Sequence, residues 1–129
     1  MKCHSSHTNK RNISDGKIKI LLMGNPNVGK SVIFSKLTGV HVNSSNYAGT
    51  TVDYTIGDVS FGRQRGVMID VPGVYSLDAI SEAEKVAVSL LKEGADVIVC
   101  VLDATHLERN LDLAFQLKEY DIPIVYSLN

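Results

Sequence analysis

The stretch Gly24-Asn25-Pro26-Asn27-Val28-Gly29-Lys30-Ser31 carries two glycines, a lysine and a serine at a spacing that cradles phosphate: Gly, four residues, then Gly-Lys-Ser. Each residue type has a physical reason. Gly24 and Gly29 let the backbone close around phosphate oxygens where a side chain would collide. Lys30 offers a point charge to the outer phosphates, and Ser31 offers a hydroxyl to Mg²⁺. The apolar run Ile18, Ile20, Leu21, Leu22, Met23 ahead of it predicts a buried strand, and residues 32–37 behind it predict a helix. A strand, a glycine turn and a helix start gather unpaired N–H groups and the positive end of the helix dipole at one place, which makes an anion site.

Two more features fit the same chemistry. In Asp70-Val71-Pro72-Gly73 a carboxylate at a strand end can hold Mg²⁺ through its water shell, and a glycine N–H can touch a terminal phosphate. Thr51 closes a polar segment over 40–51 and can ligate Mg²⁺ through its hydroxyl. Taken singly, Thr50 and Thr51 read as plain loop residues; their place between the other two motifs makes them candidates. Asn27 reads equally as a turn-stabilising Asx side chain and as a ligand. Tyr47 reads as a cover for a nucleotide or as a surface aromatic, and His41 and His106 as solvated residues. Cys3, His4 and His7 offer three metal ligands without a fourth, in a segment with no fold, which is a poor site.

The elements that must position these groups follow from periodicity. Residues 1–16 are nearly devoid of apolar side chains and read as a disordered polar leader. The first strand covers about 18–23 and the first helix about 30–38, with Ile33, Phe34 and Leu37 inward and Gly39 as the residue past its C-terminus. Residues 40–51 show neither helical nor strand period and read as a long functional loop. The β-branched stretches 52–61 and 64–71 around Gly62-Arg63 read as an antiparallel hairpin. Ser81 and Glu84 form a capping-box pattern, followed by Ala83, Val86, Ala87, Leu90 and Leu91 on one helical face that Gly94 closes. A buried strand over 96–103 precedes a second capping-box pattern, Thr105 and Glu108. The helix over 107–119 then places Leu107, Leu111, Ala114 and Leu117 inward, and a strand over 122–128 follows Pro123. This alternation predicts a three-layer α/β domain, mostly parallel with one antiparallel strand, with its ligand at the carboxyl ends of the strands.

With 129 residues the chain holds at most one domain, small for a complete nucleotide-binding one. A net charge of -1 gives no electrostatic argument for nucleic acid or for an anionic membrane. No apolar run is long enough to cross a bilayer. Cys100 lies in an apolar strand and reads as a small hydrophobe, so no disulfide framework is suggested.

In combination these motifs resemble the ferrous iron transport protein B (FeoB) family, through its amino-terminal G domain, within the translation-factor-related P-loop GTPases. The resemblance is carried by 24–31, by Asn46-Tyr47-Ala48-Gly49-Thr50-Thr51-Val52-Asp53 and by Asp70-Val71-Pro72-Gly73-Val74-Tyr75-Ser76-Leu77. Val101-Leu102-Asp103-Ala104, Leu107-Glu108-Arg109-Asn110-Leu111 and the closing Ile122-Pro123-Ile124-Val125 through Leu128-Asn129 add to it. It covers 17–129 and implies a partial, Ras-like G domain. It implies GTP and GDP as ligands with Mg²⁺, a phosphate loop at 24–31, and switch loops at 40–53 and 70–80. The implied nucleotide contacts extend over Gly49, Thr50, Thr51, Val52 and Asp53; the implied catalytic residues are Asn27, Lys30, Thr51 and Gly73; the implied Mg²⁺ ligands are Ser31, Thr51 and Asp70. Asn27 matches the position that helps hold K⁺ in potassium-stimulated relatives.

Val74 stands where Ras-like enzymes carry a water-orienting Gln, so hydrolysis is expected to be slow. Asn129 matches the first residue of the guanine-reading Asn-x-x-Asp motif, whose Asp lies past the chain end, so the domain reads as truncated and base choice rests on the resemblance alone. An incomplete sheet leaves an edge open to self-association. The implied partners are a transporter membrane domain and a helical regulatory domain, with no nucleic acid. The implied place is the cytoplasmic side of the inner membrane for the whole transporter and the soluble cytoplasm for this part alone. Two alternatives stand beside a GTPase switch: a nucleotide-binding regulatory module with negligible hydrolysis, and a ribosome-assembly or tRNA-modification GTPase.

Overall fold

The structure, a computed structural model, describes residues 17–39 and 42–129. The expected leader with Cys3, His4 and His7, and also His41, lie outside the described residues. Six strands form one sheet: β1 (Ile18–Gly24), β2 (Val42–Asn46), β3 (Asp53–Phe61), β4 (Gln64–Asp70), β5 (Val97–Leu102) and β6 (Ile124–Leu128). Among the described residues, three α-helices accompany them: α1 (Lys30–Leu37), α2 (Glu82–Glu93) and α3 (Leu107–Leu117). The sheet order is β2-β3-β4-β1-β5-β6. β1 pairs in parallel with β4 and β5, and β5 in parallel with β6, while β3 runs antiparallel to both its neighbours. One strand therefore opposes the other five, as expected.

Side chains alternate along β1 and divide the core in two. Leu21 and Met23 join Ile69, Val71, Ile98 and Cys100 under the apolar faces of α2 and α3. Ile20 and Leu22 join Val59, Met68 and Val101 on the other face, beneath Phe34 of α1. This is the expected three-layer arrangement. On α2, Val86, Ala87, Leu90 and Leu91 are buried and Ala83 packs at their margin.

Several local expectations need correction. Residues 42–46 form an edge strand rather than loop, paired with β3 from Val42↔Gly57 to Asn46↔Asp53. Every one of its side chains is exposed, so pairing rests on the backbone and leaves no alternation to read. Leu37 is 47% exposed, because the last contact of α1 with the sheet falls to Thr38 against Gly57. Gly39 does not adopt a left-handed cap; α1 ends at extended Thr38, whose N–H donates to the Phe34 carbonyl at 3.0 Å.

At α2, Ser81 Oγ accepts from the Glu84 N–H at 3.1 Å, but Glu84 answers the Ile80 N–H at 3.0 Å rather than that of Ser81. The pattern at Thr105 and Glu108 does not cap α3. Asp103 takes both the Thr105 N–H at 2.9 Å and its hydroxyl at 2.7 Å, winding a short 3₁₀ turn over Ala104–His106 first. The buried face of α3 is then Asn110, Leu113, Ala114 and Leu117, with Leu107 exposed. Asn110 stays buried because its amide spans the Asp103 N–H and the His106 carbonyl.

Candidate functional site

The chain leaves β1 on one side and crosses the sheet from β4 to β5 on the other, so the order reverses around β1. In such sheets a ligand crevice forms at the carboxyl ends of the strands at this reversal. Residues 24–31 follow β1, and residues 70–73 follow β4. Backbone bonds lock the two turns together: the Val71 N–H donates to the Leu22 carbonyl at 3.1 Å, and the Val74 N–H to the Gly24 carbonyl at 3.2 Å. Gly73 sits against Pro26, where an added Cβ would lie 3.0 Å from the Pro26 Cα. Between them opens a cavity of about 510 Å³ lined by Pro26, Asn27, Gly29, Lys30, Ser31 and Gly73.

The helix start facing this cavity is left bare. Gly29 occupies the N-cap of α1 with φ 91°, a left-handed conformation that suits glycine, and no side chain caps the helix. Its first N–H groups therefore lack the partner that Ser81 supplies at α2. Asn27 is also left-handed, with φ 64°, a conformation Asn tolerates better than most residues. Lys30 turns its ammonium onto Asp70 and donates to the Val71 carbonyl at 2.7 Å. Asp70 and Ser31 both line an adjoining cavity of about 400 Å³, so hydroxyl and carboxylate lie within one neighbourhood. Val28 is buried, and Asn25 is buried with neither amide atom partnered.

Asn129 reaches this loop from the end of β6. Its side-chain amide donates to the Val28 carbonyl at 2.9 Å and crowds the space a Cβ on Gly29 would need. Its backbone N–H donates to the Leu102 carbonyl at 2.8 Å, and its own carbonyl accepts from the Ala104 N–H at 3.0 Å.

The third motif stays apart. Residues 47–52 form a closed turn: the Tyr47 N–H donates to the Val52 carbonyl at 2.8 Å, the Thr50 N–H to the Tyr47 carbonyl at 2.9 Å, and the Val52 N–H to Thr50 Oγ1 at 3.1 Å. Gly49 supplies the left-handed corner at φ 79°. Thr51 Oγ1 donates to Glu82 Oε1 at 3.0 Å, at the first residue of α2, and Asp53 is exposed where β3 begins. The Tyr47 hydroxyl donates to Glu93 at 2.6 Å and its ring meets Tyr54 edge-on at 5.9 Å. The sequence did not single out Glu82 or Glu93. Each is one acid among several on an amphipathic helix, and only the fold reveals what it meets.

Val74 is buried, so its side chain belongs to the core rather than to the cavity. Cys100 is fully buried, and burial pushes its thiol up to about 11. The exposed His106 ring lies 3.2 Å from Asp103. Asp103 is itself held below the usual carboxylate range, first by the Thr105 hydroxyl and then by the Thr105 N–H.

The sequence profile of the family described as ferrous iron transport protein B matches residues 18–129. The chain belongs to that family. It is 42% identical over 118 residues to the Fe(2+) transporter FeoB of Shigella flexneri, a match that covers 88% of this chain and 15% of that protein. The structure is similar to the G domain of the T. maritima FeoB iron transporter, with TM-score 0.83, 34% identity, and 87% of this chain and 71% of that one covered. It is also similar to a GDP-bound mutant of the S. thermophilus FeoB G-domain, with TM-score 0.80, 43% identity, and 87% and 43% covered. The fold is thus that of the FeoB G domain, a P-loop nucleotide triphosphatase. The chain spans about 15% of the curated transporter's length. Among the described residues no helix is long and apolar enough to cross a membrane.

Proposed function

We propose that this chain is the guanine-nucleotide switch of a ferrous iron transporter, binding GTP and GDP with Mg²⁺ and hydrolysing GTP slowly. The observation that carries the reading is the bare N-terminus of α1 facing a cavity of about 510 Å³ that Lys30, Ser31 and Gly73 share. The residues present fit the ligands: the approach at Gly73 and the left-handed Gly29 make a cradle that side chains would fill. Ser31 and Asp70 supply hard oxygen donors of the kind Mg²⁺ takes. The GDP in the S. thermophilus relative supports guanine as the base.

On this reading the α1 N–H groups and Lys30 hold the phosphates, while Ser31 and Asp70 would hold Mg²⁺, which when bound would supply charge neutralisation for phosphoryl transfer. Lys30 must first release Asp70 and the Val71 carbonyl. Thr51 must release Glu82 before it can complete the metal's ligands, so the first switch loop moves on binding. The Gly73 N–H would donate to the terminal phosphate. Val74 offers no group to orient water, so hydrolysis is slow, and Asn27 would help hold a K⁺ that would supply electrostatic stabilisation. Iron transport, the membrane domain, the helical regulatory domain and the cytosolic placement belong to the longer protein of which such domains are part.

The buried Val74 also favours a second reading, a regulatory module that binds nucleotide without useful turnover. GTP turnover by the chain with Mg²⁺ in K⁺ and in Na⁺ separates the two. The switch reading expects slow turnover that is faster in K⁺ and lost in Lys30→Ala; binding without turnover in either salt leaves the regulatory module. The remaining alternative, a ribosome-assembly or tRNA-modification GTPase, gives way to the family match.

A further inference from the structure

A second cavity, of about 370 Å³, lies on the α2 side of the sheet and takes no part in the phosphate site. It is small but within the range of pockets that hold organic ligands. Tyr47 and Ala48 of the 47–52 turn form one wall, Tyr54 and Val67 the floor, and Leu90 and Glu93 of α2 the far side. The lining is aromatic and aliphatic except at one end, where Lys19 and Glu93 face each other.

That polar end has unused capacity. Glu93 Oε2 is taken by the Tyr47 hydroxyl at 2.6 Å, while Oε1 stands 3.9 Å from Lys19 Nζ, longer than a hydrogen bond. The Lys19 side chain is only 6% exposed. Its pKa is lowered, first by burial, against the opposing pull of Glu93 and Asp96. Among the described residues the ammonium has this long ion pair and no closer side-chain acceptor, so its donors are open to a ligand that enters the cavity. An added carboxylate would meet Glu93 as well as Lys19, so charge disfavours an acid. A neutral group that accepts from Lys19 and donates to Glu93 Oε1 satisfies both.

We infer that this cavity binds a flat, neutral heteroaromatic lactam, its ring between Tyr54, Val67 and Leu90 and its adjacent C=O and N–H bridging Lys19 and Glu93. Tyr47 in the cavity wall is tied to Glu93, and Thr50 to Tyr47, so an occupant resting on that wall favours the loop arrangement in which Thr51 is held by Glu82. Resting on the function proposed above, the ligand then opposes binding of GTP with Mg²⁺ more than binding of GDP, and reciprocally.

The first arm of the test needs no nucleotide. Quinolin-2(1H)-one is titrated into the chain and followed by NMR. The expected result is saturable shifts at Tyr47, Tyr54 and Leu90, with binding weaker by on the order of tenfold for the N-methyl analogue, which lacks the donor, and for Lys19→Met. Val67→Phe, which fills the floor and leaves Lys19 in place, abolishes the shifts while the circular dichroism spectrum is retained. Absent or scattered shifts, equal binding of the N-methyl analogue, or tighter binding of 2-naphthoate overturns the proposal. In the second arm, saturating lactam weakens binding of a non-hydrolysable GTP analogue with Mg²⁺ severalfold and leaves GDP unchanged; equal affinities with and without lactam overturn the coupling. A chain that binds the lactam but no nucleotide refutes the proposed function and leaves the cavity's assignment standing.

Discussion

Lys30 and Cys100 show how the same fold sets single residues to different tasks. Lys30 is held in the site by Asp70 and the Val71 carbonyl, so its charge is satisfied yet available to a better anion. Cys100 is fully enclosed in β5, and its thiol is pushed up to about 11 from an ordinary 9.0. The folded state therefore retains a proton that the unfolded chain gives up earlier. Stability from this source is complete below about pH 9 and falls as pH rises toward 11. The loss amounts to about 2–3 kcal/mol. Lys19, with its lowered pKa, acts in the opposite sense as pH rises toward its ordinary 10.5, so the comparison must be between variants. Urea melts from pH 8 to 11 should show a steeper decline for the native chain than for Cys100→Ala, although the variant is less stable throughout. Parallel profiles would refute the assignment.

Among the elements, α1 carries the loop that lines the phosphate-side cavity, and the 47–52 turn lies apart from it, held to α2. Phe34 is the one buried residue of α1 and fastens the helix, and so the phosphate loop, to Ile20, Leu22 and Met68. Phe34→Ala is expected to cost about 3–5 kcal/mol in urea denaturation and to weaken nucleotide binding in the fraction that stays folded; a loss below about 1 kcal/mol would mean that α1 is anchored otherwise. The turn is restrained by Thr51 on Glu82. Glu82→Ala removes that hold while Ser81 still caps α2. Affinity for a GTP analogue with Mg²⁺ should rise a few-fold, the worth of about one hydrogen bond, with GDP unaffected; equal affinities before and after would show that the contact does not restrain the loop.

What could be read from sequence divides at this scale. Elements with one buried face, such as α2 with its Val86, Ala87, Leu90 and Leu91 stripe, declare themselves by period. β2 does not, because Val-Asn-Ser-Ser-Asn buries nothing and is held by its neighbour's backbone. α3 starts at Leu107, where its period puts it, but its capping does not follow the Thr105 and Glu108 pattern, because Asp103 takes the Thr105 N–H first, a contest between two good capping residues that spacing alone does not decide. The phosphate loop and the Asp70 turn were legible because their chemistry is local. The hold of Glu82 on Thr51 was not, since it joins residues 31 positions apart.

At the level of the whole molecule, the sheet brings the carboxyl ends of β1 and β4 together and ties in the end of β6 through Asn129. Its two cores lie on opposite faces, so the phosphate side at α1 and the second cavity beneath α2 are separated by the sheet, and the 47–52 turn borders the second cavity. The central claim is that nucleotide phosphates seat on the bare start of α1 against the Gly73 turn. The most direct measurement is a titration of GDP with Mg²⁺ into the isotopically labelled chain, following backbone amides in the native protein and in Lys30→Ala. The account predicts saturable shifts centred on Gly29, Lys30, Ser31 and Gly73, with affinity lower by on the order of 100-fold in the variant. Shifts centred elsewhere, or an affinity unchanged by Lys30→Ala, would contradict it.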